Sequence, residues 1–293
     1  MKTSPDKIGG FLIYMTVTII GTGLIGCSIA NRLKETGFAK KIIGVDNKPE
    51  NVQTALELGW IDETMALEEA IAQSTLIIVA IPVDATLQLL PGLLSKLDEQ
   101  VLMDVGSTKD IICGSVLNNI KRGRFVATHP MWGTEKDGPG AVVKNAFEGR
   151  VAVICQKDRS DADALQLVEN LYETIGMQLV YMESGIHDMH AAYVSHISHI
   201  ASYALSLTVL EKEKEEDTIF ELASGGFEST VRLAKSNPAM WVPIFMQNKE
   251  NVLDVLNEHI VQLKKIKSCL EKDNFTYLQE LIENANKIKR ILK

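Results

Sequence analysis

The sequence predicts an α/β protein: a doubly wound, mostly parallel sheet in residues 1–183, then an all-helical domain in residues 184–293. Three observations predict it. Through about the first 180 residues, short runs of Val, Ile and Leu alternate with amphipathic segments, as in strands covered on both faces by crossover helices. A glycine triplet stands between the first apolar run and the first helical segment. Past Glu183 the strand signal stops and stripes of 3.6-residue period replace it.

Taken in order, strands are expected over 16–20, 41–45, 75–81, 101–105, 125–128, 150–155 and 178–182. Helices between them include 29–36, stopped by Gly37, and 162–175, stopped by Gly176; a glycine just past the last turn is the usual terminator. One long helix is expected over 186–210. A second covers 249–270, with apolar residues at 252, 253, 256, 260, 263 and 266, and a third 275–292. These stripes exceed what one small helical core needs, so this domain is the expected homodimer surface. The charged stretch 211–217 reads as a solvated helix end or loop.

Composition narrows the function. A net charge of −8 without a Lys/Arg-rich run argues against nucleic acid as a partner, and an anionic substrate would need a local cation. The four cysteines, Cys27, Cys113, Cys155 and Cys269, are scattered and form neither a zinc cluster nor a disulfide framework; no metal is expected. Lys2 and Lys7, the apolar run 11–20 and Cys27 imitate a lipoprotein signal. The run is too short to span a membrane, and its β-branched residues suit a buried strand, so the expected location is cytoplasmic. Met15 is a second candidate start, which would make residues 1–14 a disordered or spurious extension.

Gly21-Thr22-Gly23-Leu24-Ile25-Gly26 lies between strand and helix, the context in which such a triplet binds a dinucleotide, as in a Rossmann-type domain. Gly21 permits the turn, Gly23 lets a pyrophosphate approach the backbone, and Gly26 allows close packing; the N–H groups of the helix start favour the phosphates. Asp46 ends the second strand 20 residues past Gly26, where an acid accepts from the ribose hydroxyls and repels a 2′-phosphate. NAD is therefore expected over NADP, with Lys48 as a nearby cation that could tolerate the phosphate. Pro82, in Ala80-Ile81-Pro82, should border the nicotinamide side.

Two polar segments follow strands, Asp104-Val105-Gly106-Ser107-Thr108-Lys109 and Thr128-His129-Pro130-Met131-Trp132-Gly133-Thr134-Glu135. An imidazole at a strand end beside a nicotinamide suits a base that takes a hydroxyl proton as hydride leaves the same carbon. In the helical half, Ser195 and His199 share a face with Ser202 and Ser206. His187 and His190 read as surface residues. Arg232 is the expected cation, able to hold a carboxylate through two parallel N–H bonds.

Together these segments, with His187-Asp188, Ser195-His196-Ile197-Ser198-His199, Gly225-Gly226-Phe227 and Met240-Trp241, resemble the prephenate dehydrogenase family over residues 16 to about 250. The resemblance implies a Rossmann domain plus a helical dimerisation domain, and NAD-dependent oxidative decarboxylation of prephenate to 4-hydroxyphenylpyruvate in tyrosine biosynthesis. It implies His129 as base at the ring hydroxyl, and Ser107 bonding that hydroxyl and orienting His129. His199 and Arg232 would hold substrate carboxylate, Ser195 would line the site, and Glu135 would gate or polarise the pocket. The sequence departs from the family pattern at Ser198, where a proline is usual, and at Ser229-Thr230-Val231-Arg232, where Asp-x-Thr-Arg is usual. Arogenate stays open as substrate. So does another two-domain dehydrogenase, such as one acting on a β-hydroxy acid; an NAD sensor without chemistry would have no need of His129.

Overall fold

The computed structural model describes residues 15–216 and 218–291; the expectation for residues 1–14, and the ends placed at Asp217 and Leu292, lie outside the described residues. Strand and helix alternate from the start: β1 (Thr16–Ile20), α1 (Leu24–Glu35), β2 (Lys41–Val45), α2 (Pro49–Glu57), β3 (Glu63–Thr64), α3 (Leu67–Gln73), β4 (Leu76–Val79), α4 (Val83–Ser95), β5 (Val101–Asp104) and α5 (Asp110–Ser115). There follow β6 (Phe125–Pro130), β7 (Val151–Cys155), α6 (Ala162–Thr174) and β8 (Gln178–Met182). The sheet order is β3-β2-β1-β4-β5-β6-β7-β8, parallel throughout except for the antiparallel β6–β7 pair. The order reverses between β1 and β4, and ligands of such sheets bind beyond the carboxyl ends of the strands at that point.

The central strands are apolar without alternation because helices cover both faces: every residue of β4 and β5 is buried. Thr18 is a polar exception in β1, its hydroxyl 2.6 Å from that of Ser74. Two of the expected boundaries shift for local reasons. The strand expected over 75–81 ends at Val79 because Pro82, which has no N–H for a ladder, caps α4. Helix α1 begins five residues before the expected 29, because Leu24-Ile25-Gly26 of the glycine motif is already its first turn. The short strand β3 carried too little pattern to be expected.

The second half is helical: α7 (Ser184–Ala191), α8 (Ile197–Glu213), α9 (Gly225–Val231), α10 (Pro238–Gln247), α11 (Lys249–Glu271) and α12 (Phe275–Ala285). The long helix expected over 186–210 is α7 and α8 joined by a π turn at Ala192–His196, a local widening often found at functional sites. The third expected helix stops at Ala285 and tightens into a 3₁₀ turn at Asn286–Arg290. Trp241 and Ile244 of α10 pack into the same core as Val83 and Leu90 of α4, and Thr108 donates to Gln247 Oε1 at 2.6 Å. The two halves are thus packed against each other. No helix of the described residues is long and apolar enough to cross a membrane.

Candidate active site

The glycine turn lies where β1 meets α1. Gly21 has φ +100°, and a Cβ there would lie 2.4 Å from the Ala80 carbonyl oxygen, so this turn and the Ala80–Pro82 turn pack backbone to backbone. At Gly26 a Cβ would meet the Gly21 oxygen at 2.1 Å. Gly23 faces open space and caps α1 with no side-chain hydrogen bond to its first N–H groups, which leaves Leu24 and Ile25 at an uncapped helix start suited to phosphate. Asp46 Oδ2 accepts from Thr22 N at 2.7 Å and from Thr22 Oγ1 at 3.1 Å, and Oδ1 from Lys48 N at 2.9 Å. The carboxylate is thereby pinned beside the turn, as an acceptor of ribose hydroxyls must be. These residues fit a dinucleotide.

On the same edge of the sheet, Asp104 ends β5 and organises the next turn. It accepts from Gly106 N at 3.0 Å and Thr128 N at 3.4 Å and pairs with the ammonium of Lys109, both partners of the pair being fully buried. Ser107 sits half-buried on that turn. His129, half-buried near the end of β6, is not held by Ser107, as the family resemblance implies; its Nδ1 lies 2.8 Å from Nε2 of His187. His187 Nδ1 is 2.8 Å from Asp188 Oδ1. Asp188 accepts in turn from Lys109 N at 2.7 Å and Asp110 N at 2.9 Å.

His187 corrects the sequence reading, which placed it on the surface with His190. His190 is exposed, but His187 and Asp188 are each only 2% exposed. The cause is tertiary: the Asp188 carboxylate joins the start of α5, drawing that turn of α7 inward. Burial first, then the neighbouring His187, Lys109 and His196, holds His129 well below the usual 6.5, so its imidazole is neutral at neutral pH.

The helical half supplies the other wall. His199 stacks on Trp241 with ring centroids 3.4 Å apart, and its Nδ1 donates to the Ser195 carbonyl at 3.2 Å. Burial, more than the Arg232 charge, lowers its pKa. Ser202 Oγ accepts from Ala234 N at 3.0 Å, tying α8 to the turn that carries Arg232; with Ser195 and Ser206 half-buried, the polar stripe faces inward. Arg232 is half-exposed and meets Glu135 at 2.7 Å; that contact and a hydrogen bond to the Glu135 backbone lower the carboxyl's pKa, the backbone bond more. Trp241 Nε1 is buried with no hydrogen-bond partner among the described residues. Sequence reasoning gave Trp241 no role, because an indole within an apolar helix reads as core.

Among the described residues no group of three or more His, Cys, Asp and Glu is placed to hold a metal. The four cysteines are free and buried, and burial pushes the Cys27 thiol up to about 12.

Residues 29–181 match the family model for the nucleotide-binding domain of prephenate dehydrogenase, and residues 183–284 that for its dimerization domain. The chain is 33% identical over 276 residues to a prephenate dehydrogenase of Bacillus subtilis, covering 92% of this chain and 74% of that protein. It is 28% identical over 287 residues to a cyclohexadienyl dehydrogenase of Zymomonas mobilis, covering 96% and 97%. A solved prephenate dehydrogenase from A. aeolicus, in complex with hydroxyphenyl propionate and NAD+, superposes with a TM-score of 0.86 at 32% identity, covering 96% of this chain and 98% of that one.

Proposed function

Because the chain belongs to the prephenate dehydrogenase family, we propose that its cleft carries out the NAD-dependent oxidative decarboxylation of prephenate to 4-hydroxyphenylpyruvate, with His129 as the base. The observation that carries this reading is a neutral imidazole on the cofactor edge of the sheet, anchored through Nδ1 and with no protein partner on Nε2 among the described residues.

NAD, when bound, accepts the hydride from the ring carbon bearing the hydroxyl. Gly21, Gly23, Leu24, Ile25 and Gly26 form the phosphate turn, Asp46 takes the ribose hydroxyls, and Pro82 borders the nicotinamide side. His129 Nε2 takes the hydroxyl proton while Ser107 bonds the same oxygen. As the bond to the ring carboxylate breaks, its electron pair aromatises the ring, and the proton held on Nε2 returns to the phenol oxygen. The gain of aromaticity means that the protein's main tasks are to orient the substrate and supply one base.

Arg232 and His199 hold substrate carboxylate, Ser195 lines the pocket beside them, and Glu135 positions Arg232. Residues 1–183 form the cofactor half and residues 184–293 the substrate and dimerisation half, a division supported by the change from sheet to helix between Met182 and Ser184. The protein works as a cytoplasmic homodimer.

The test is NADH formation followed with prephenate and with arogenate. Turnover of prephenate with NAD is expected; turnover of arogenate alone would move the substrate assignment, and turnover of neither would end the reading.

A further inference from the structure

His187 and Asp188 are almost wholly buried and stand in line behind the Nδ1 side of His129. Asp188 has fixed roles. Backbone N–H groups can only donate, so Oδ1 accepts from Lys109 N and Oδ2 from Asp110 N. An ionised carboxylate has only acceptor capacity to offer His187, so the 2.8 Å contact between Oδ1 and His187 Nδ1 carries its proton on nitrogen. In a neutral imidazole that leaves Nε2 of His187 as an acceptor, and its 2.8 Å partner, His129 Nδ1, must donate. The lone pair of His129 then sits on Nε2. The order is set from the backbone of α5 outward, and α11 reinforces it: Asn248 Nδ2 donates to the Asp188 carbonyl at 2.7 Å.

We propose that His187 and Asp188 are positioning residues which fix His129 in its Nδ1–H tautomer, so that the lone pair on Nε2 faces the substrate hydroxyl. The inference rests on His129 being the base, as proposed above. During the reaction the substrate O–H bond breaks and an N–H bond forms at Nε2, while the proton on Nδ1 stays where it is. The imidazolium so formed keeps its Nδ1–H bond to His187, and the Asp188 carboxylate lies behind it as a counter-charge. Because His187 and Asp188 are almost wholly buried, the pair orients and stabilises the base and gives its proton no exit to solvent. A buried carboxylate behind a catalytic imidazole acts in this way in the serine hydrolase triad, where neutralising it leaves the geometry intact but reverses the tautomer and costs about 10⁴ in kcat. Here a second imidazole stands between the two.

The test uses the full-length protein labelled with ¹⁵N-histidine, whose six histidines give ring-nitrogen signals that separate the two tautomers; the His129 signal is the one lost in His129→Asn. In the wild type, His129 is expected to be protonated at Nδ1 and bare at Nε2. Asp188→Asn, whose amide oxygen satisfies Lys109 N and His187 Nδ1 together only at the Oδ1 position, should keep the tautomer but remove the counter-charge, lowering kcat at least about tenfold with the substrate KM and NAD affinity held. His187→Leu should lose kcat similarly, and His187→Gln, whose amide oxygen can accept from His129 Nδ1, should recover most of it. The Gln and Leu variants keep the Asp188 bonds to α5, so they decide the matter if Asp188→Asn does not fold. A wild-type His129 protonated at Nε2, or full kcat in His187→Leu, overturns the inference. If His129→Asn itself keeps full turnover, the assigned base falls, while the ring-nitrogen signals still decide the tautomer order.

Discussion

Arg232 gives one N–H to Glu135, and its other N–H groups have no hydrogen-bond partner among the described residues. A guanidinium so placed can take a substrate carboxylate without releasing the glutamate. Arg232→Ala should therefore raise the substrate KM about tenfold to a hundredfold, the range of a hydrogen bond to a charged group, with kcat changed far less; steady-state kinetics check it. The histidines set a second expectation. As the proposed base His129 has to be neutral, and its pKa is depressed by burial and by His187, Lys109 and His196 around it. In a pH profile, kcat should stay level through pH 6.5 and fall only well below it. Stability follows the same sign. Burial lowers His196 to about 4, so between about pH 6.5 and 4 the unfolded chain binds a proton that the fold refuses, and stability drops as pH falls through that window. At about 1.4 kcal/mol per unit, His196 alone accounts for about 3 kcal/mol. Thermal melts at pH 5 and 7.5 should show the loss, and His196→Asn should reduce it. At this scale the sequence was only partly legible. Asp46 and His129 stand at strand ends that local pattern reveals, whereas the burial of His187 depends on a carboxylate meeting backbone 79 residues away, which no local pattern encodes.

The elements that carry the cofactor site were read almost whole, because the glycine turn, the strand before it and the acid after it form one short stretch of chain. What periodicity did not give was the π turn at Ala192–His196: one extra residue in a helix leaves the apolar stripe nearly unbroken. The antiparallel pairing of β6 with β7 was equally hidden, since both strands are buried runs whichever way they point. The packing of the glycine turn supports a prediction about Asp46. Asp46→Asn keeps an acceptor for Thr22 N while removing the charge that repels a 2′-phosphate. The ratio of kcat/KM for NADP to that for NAD should rise at least about tenfold, measured with both cofactors at one substrate concentration; an unchanged ratio would assign the discrimination to another residue.

Across the whole molecule, the sheet half shares its core with α10, while α11 leaves Ile260, Leu263, Ile266 and Leu270 exposed and α12 adds Ile282. Such a row is costly to leave in water, and the family model matched over these helices is a dimerization domain. Leu263→Glu combined with Ile266→Glu should bring the mass measured by light scattering from two chains to one, with the α/β half still folded. The halves also meet each other unevenly. At the seam, Asp188 takes two buried backbone donors from the sheet half while its own carbonyl is held by Asn248. At the mouth, Arg232 meets Glu135, and Asn237 meets Asp137 at 3.0 Å, both in contact with water. A solvent-screened pair of that kind is worth about 0–1 kcal/mol, whereas stripping donors from a buried carboxylate costs several times more. The segment bearing Glu135 and Asp137 is therefore the loosely tied edge of the seam between the halves, and the buried Asp188 contacts are the edge that holds them together.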